Sequence, residues 1–174
     1  MKTPIILLLA LFCLSPGVLS AADPVEFTVG GFRFERPSGW GWIVPSSAMR
    51  KAQLSVPGVE GETPAEVTFF HFGAGQGGGV QANVDRWLGQ FQDATSDTRA
   101  EEVGKTKVTF VQAAGTFFSG MPGGPTTPLK GYAMRGAILE SAGGDVYVKM
   151  TGPETVVKAA EAAFEKMVKG AAGS

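Results

Sequence analysis

The run Gly73-Ala74-Gly75-Gln76-Gly77-Gly78 matches G-x-G-x-x-G. It follows an apolar segment predicted to be a strand and precedes one predicted to be a helix. In that setting the amides of a glycine turn can hold a dinucleotide pyrophosphate at a helix N-terminus. The residues beyond it argue for a plainer role. The helix leads into polar sequence rather than promptly into a second strand, and Asp97, at about the right distance for a ribose contact, ends no apolar run. A strand-to-helix connection is the preferred reading, its amides still able to attract a small anion. Gly104-Lys105-Thr106 imitates the end of a phosphate-binding loop. However, Arg99 stands where the earlier glycine belongs, and the segment enters a strand.

Nucleophilic and metal chemistry are short of parts. His71 is the single histidine and Cys13 the single cysteine. A Cys-His pair in the domain or a three-ligand zinc site therefore lacks residues, and no G-x-S-x-G elbow offers a serine to His71. His71, at a strand end, reads as structural. The 16 acidic residues leave a two-carboxylate hydrolase arithmetically open, although their spacing pairs no two in particular. No cofactor and no metal is expected.

Asn83, Arg86 and Gln90 fall at i, i+3 and i+7, a polar stripe beside the apolar face of the predicted helix. With Gly75 and Gly78 they form the candidate binding surface, and pinning the glycine loop is the competing structural role. Trp40 and Trp42 share parity on a short glycine-flanked strand. They are either core packing or a platform for an apolar ligand.

Strands are expected at 25–29 and 32–36 around Gly30-Gly31, at 40–44, at 50–56 and at 66–72 (EVTFFHF), the last dense in aromatic and β-branched residues. Val80, Val84, Trp87, Leu88 and Phe91 give helical spacing over about 80–92. Residues 92–102 read as polar and irregular. Strands at 106–112 and 115–119 are separated by a turn at Ala113-Ala114, and 119–128 (SGMPGGPTTP) reads as a loop. A hairpin over 132–140 and 146–150 precedes a helix over 153–169. Thr151 or Gly152 caps that helix, Pro153 and Glu154 open it, and Gly170 closes it. Its buried stripe is Val156, Val157, Ala160, Phe164, Met167 and Val168. The sum is one α+β domain over 23–174, with a mostly antiparallel sheet of about seven to eight strands and two packed helices.

Residues 1–22 read as a cleavable signal peptide. Lys2 precedes the apolar run Ile5–Leu14, Pro16-Gly17 breaks it, and Ser20-Ala21-Ala22 offers small residues before Asp23. The run is shorter than the roughly 20 residues of a membrane anchor. Phe12 before Cys13 argues against lipidation. The expected destination is the periplasm or the medium. With 15 basic and 16 acidic residues and no like-charge block, there is no basic stripe for nucleic acid and no polybasic patch for lipid.

With FRFERPSGW, GAGQGGG, QANVDRWLGQF and KMTGPETVVKAAEAAF in view, the chain resembles small exported bacterial proteins with a PsbP-like α/β/α sandwich fold. The resemblance covers most of residues 23–174. It implies an extrinsic, accessory or partner-binding role rather than catalysis. The photosystem II role of PsbP itself, with its metal and chloride chemistry, is not carried over. The leading expectation is thus an exported, non-enzymatic module that binds an envelope or extracellular protein through the loops at 73–79 and 119–128. A carrier of a small apolar molecule or lipid, with Trp40 and Trp42 lining its pocket, is the alternative, and a carboxylate hydrolase comes third.

Overall fold

The computed structural model describes residues 23–59, 61–120 and 124–174. Residues 1–22, read from the sequence as a signal peptide and including Cys13, lie outside the described residues. The chain runs β1 (Glu26–Val29), β2 (Phe32–Glu35), β3 (Gly41–Trp42), β4 (Arg50–Val56), β5 (Ala65–His71), α1 (Val80–Leu88), β6 (Phe91–Val103), β7 (Thr106–Gly120), β8 (Thr126–Leu139), β9 (Val146–Pro153) and α2 (Glu154–Ala172). β1 and β2 form a separate hairpin, and the other strands form one seven-stranded sheet in the order β3-β4-β5-β9-β8-β7-β6. Every ladder is antiparallel. The fold is α+β.

Alternation along the central strands creates two cores. Val146, Val148 and Met150 of β9 point to one side, where α2 and the β1–β2 hairpin cover Leu54, Val67, Phe69, Val108 and Leu139. Tyr147 points to the other side, where α1 sets Val84 and Trp87 against Val111, Met134 and Ile138. The α2 stripe predicted from the sequence is buried in full. The turn at Gly30-Gly31 has φ of 56° and 88°, as a two-residue hairpin turn demands. Gly30 also lies against His71 and Val146, where a Cβ would not fit.

Several boundaries differ from expectation. Residues 92–102 are not irregular but lie in the 13-residue β6. This edge strand is exposed on both faces over most of its length, so it carries no apolar alternation to read. Ala113-Ala114 is not a turn, because β7 continues through both, pairing them with β6 and β8. The 119–128 loop shrinks as well, since Ser119 pairs with Thr127 and Gly120 with Thr126; residues 121–123 lie outside the described residues. Pro128 fits in this strand because its partner Phe118 donates its N–H away from β8, to Gln90 O at 2.8 Å. The missing donor of Pro128 therefore faces the open side of β8, beyond the end of β9.

The helix expected over 80–92 stops at Leu88, and Phe91 instead enters β6 opposite Phe117. The final helix passes through Gly170 to Ala172, because Ala171 and Ala172 are buried. Thr151 and Gly152 do not cap it; both remain in β9, and Pro153 occupies the cap position.

Candidate functional site

α1 and the loop before it form one clamped unit. Gly73, Gly75, Gly77 and Gly78 all have positive φ, which side-chain-bearing residues adopt at a cost. Asn83, 2% exposed, donates from Nδ2 to the carbonyls of Gly77 (2.9 Å) and Gly79 (3.0 Å). Its Oδ1 accepts from Arg86 Nη1 at 2.8 Å. Tyr147 donates its hydroxyl to Gly78 O at 3.1 Å, and burial, then the charge of Asp145, raises its pKa. Three successive loop carbonyls are thus held by the protein itself. A Cβ on Gly77 would stand 2.9 Å from the Tyr147 hydroxyl, whereas Gly75 faces open space.

This geometry removes the dinucleotide reading. The fingerprint needs a parallel β-α-β crossover, and here β5 and β6 lie in a wholly antiparallel sheet. Gly104, the other phosphate-loop imitation, is a positive-φ residue in the tight β6–β7 turn.

Gln90 leaves the clamp. It sits between α1 and β6 and accepts a hydrogen bond from Lys149 Nζ through its side-chain oxygen. Lys149 lies on β9, beside Gly136 of β8 and Thr68 of β5. Burial lowers its pKa to about 8, against the pull of Glu66 in the opposite direction. Its ammonium lies 5.2 Å from the Phe117 ring centre, a cation–π contact. Toward β4 the polar row continues: Gln53 Nε2 donates to Glu66 Oε2 (2.9 Å), while Arg50 Nη1 donates to Gln53 Oε1 (3.0 Å) and Glu66 Oε1 (2.9 Å). Gln53 and Thr68 are buried polar residues roofed by these longer neighbours. At the other end, Phe72 is 43% exposed and stacks on Phe70 near the glycine loop.

The remaining expectations fall on the opposite side of the sheet. Trp40 is 6% exposed in the α2-side core, and Trp42 packs edge-on against Phe27 at 5.3 Å. Neither lines the cleft between the β1–β2 hairpin and α2. The open cleft of about 670 Å³ lies between the β1–β2 hairpin and α2. Its walls are charged (Glu26, Arg33, Arg36, Lys166) around Met167 and Ala171, without an aromatic ring. Trp40 and Trp42, the lining expected of a carrier, do not border this cleft, and the hairpin packs Phe27 and Phe34 against Phe69 of β5 in the core. His71 Nδ1 is 3.2 Å from Asp145 O, a structural contact. Glu66, Glu140, Glu154, Glu161 and Glu165 each pair with a cation. Among the described residues no group of three His, Cys, Asp or Glu could hold a metal.

Asn83, Arg86 and the glycine loop thus form one unit, as their spacing suggested, whereas Lys149 and its row lie outside the predicted surface. A signal existed: a lysine at the Tyr147 parity inside VYVKM sits in a segment otherwise apolar enough to be central in a sheet.

The seven-stranded antiparallel sheet with helices on both faces and a separate leading hairpin is a PsbP-like fold, as two solved structures show. The solution structure of cyanobacterial PsbP (CyanoP) from Synechocystis sp. PCC 6803 is similar to it, with a TM-score of 0.53 and 8% identity, over 88% of this chain and 95% of that one. So is the crystal structure of PA94, a Pseudomonas aeruginosa protein of unknown function, with a TM-score of 0.50 and 13% identity, over 83% and 92%. At such identities the likeness is one of fold alone. No protein-family model matches the sequence, and no curated protein does.

Proposed function

We propose that this protein is an exported, non-enzymatic accessory module that binds a partner protein through the α1 side of its sheet. One observation carries the reading: the α1 side is only partly covered. α1 spans nine residues against 19 for α2. Beside it lies a strip with an aromatic end at Phe70 and Phe72 and a charged middle of Arg50, Glu66 and Lys149. The clamped glycine loop borders it. Aromatic anchors within a polar surround are the usual anatomy of a protein interface. The partner's class is an envelope or extracellular protein.

The non-enzymatic part is supported by how the charged groups are used, since the carboxylates of Glu66, Glu161 and Glu165 are neutralised by cations. Export rests on the sequence of residues 1–22. Among the described residues no helix is long and apolar enough to cross a membrane.

The test is cross-linked co-purification from the native host followed by mass spectrometry. The wild type is compared with an Asp85→Lys/Arg86→Glu variant whose fold has been checked by circular dichroism. The expected result is one stoichiometric partner, lost in the variant. A partner retained equally by both proteins refutes the assignment of the face.

A further inference from the structure

The sheet ends differently at its two edges. β3 offers two residues of backbone, and Pro45 follows shortly after. β6 offers 13 residues, is paired only to β7, and is exposed throughout Gln92–Thr98. A long edge leaves a row of unpaired N–H and C=O groups that another strand can complete.

The charges on this edge are self-complementary. Asp97, Arg99 and Glu101 point to the α2 side. Arg99 Nη1 donates to Glu101 Oε2 at 3.0 Å and Nη2 to Glu165 Oε1 at 2.5 Å. Lys169 Nζ stands 2.8 Å from Glu101 Oε1. Asp97 has no cationic partner among the described residues, and Nε of Arg99 has no acceptor among them. In an antiparallel pair, residues directly opposite each other share a face. A two-fold axis at Thr98 puts Asp97 opposite Arg99 of the second copy, twice by symmetry. It also sets Thr98 against Thr98, Ser96 against Ala100 and Thr95 against Glu101, so no like charges meet. Shifting the axis to Asp97 or to Arg99 would set that charge against itself.

We propose that β6 is a self-association edge: two copies join antiparallel through β6, in register about Thr98, merging their sheets into one. The α2 helices of both copies then lie on the same side. Opposed charges and Thr–Thr pairs are favourable cross-strand neighbours, and like charges are not.

Sedimentation equilibrium of the purified protein tests this, and a reversible dimer is expected. Asp97→Arg and Arg99→Asp each weaken it by about tenfold or more, and the double exchange restores it to within about threefold. Arg99→Asp also gives up the contact with Glu165, so a second measurement is independent of it. With Cys13→Ser removing the native thiol, Thr98→Cys forms a disulfide-linked dimer on mild oxidation, whereas Gln81→Cys on α1 does not. A monomer at every concentration overturns the proposal. So does a dimer indifferent to both charge changes, or Thr98→Cys cross-linking no faster than Gln81→Cys.

Discussion

The two sides of the sheet spend their residues in opposite ways. On the α2 side, burial is continuous: Phe34, Phe69, Leu54, Phe164 and Val168 are at 0–1% exposure. The charged side chains there act at the margin, where Arg99, Glu101, Glu165 and Lys169 tie α2 to β6 and Arg135 meets Glu161 at 3.0 Å. On the α1 side, one short helix covers β6–β8, and the strip over β4, β5 and β9 is polar, with an ammonium below its ordinary pKa at the centre. Apolar burial is the more extensive on the α2 side. The other keeps desolvated polar groups at some cost, which the proposed docking role would account for.

The largest effect is expected at Phe164, 1% exposed in the α2-side core. Phe164→Ala is expected to cost about 3–5 kcal/mol, with the whole sheet unfolding together in urea melts followed by fluorescence and circular dichroism. A small loss, or a biphasic melt, would show that α2 is not the stabilising layer.

On the α1 side the matching lesion is Gly136→Ala. The Trp87 ring packs against this glycine, and a Cβ would come within 2.7 Å of its Cε3. Overpacking there is expected to cost about 1–3 kcal/mol. The signature sought is local: hydrogen exchange accelerates over residues 77–88 while β5, β8 and β9 keep their protection. Uniform acceleration would make the two sides one cooperative unit.

Lys149→Met sharpens the contrast in the opposite direction, because it removes a desolvated charge. Stability at pH 7 is expected to rise by about 1–2 kcal/mol. In the wild type, folding lowers the lysine pKa from 10.5 to about 8. Between those values the unfolded chain holds the extra proton, so stability increases as pH rises through the window. Below about pH 8 the penalty is present in full. Denaturant melts at pH 7 and 9.5 should show this gain in the wild type and a flat response in Lys149→Met. Equal slopes would contradict a desolvated ammonium. The smallest effect is expected at Lys158, whose ammonium meets Glu154 at 2.7 Å on the exposed side of α2. Lys158→Ala should lose only about 0.3–0.5 kcal/mol.

What was legible in the sequence follows the same division. The α2 stripe, the β1–β2 turn and the EVTFFHF strand could be read because each buries one side, and periodicity records burial. β6 could not, since Gln92–Thr98 are exposed on both faces and the ladder that makes them a strand is supplied by β7. The turn expected at Ala113-Ala114 failed for a related reason. Two small residues in mid-strand look like an interruption until strands on both sides pair with them. At the site, i, i+3 spacing brought Asn83 and Arg86 together on one helix. The pairing of Gln90 with Lys149 joins residues 59 positions apart, and only the sheet order brings them into contact.

The most direct test of the α1 side as the docking face is site-specific photo-cross-linking in the native host. A photoreactive side chain is placed at Asp85 on α1 or, in a second protein, at Ala162 on α2, both exposed. One stoichiometric adduct from position 85 and none from position 162 is expected. The same adduct from position 162 alone, or no adduct from position 85, would contradict it.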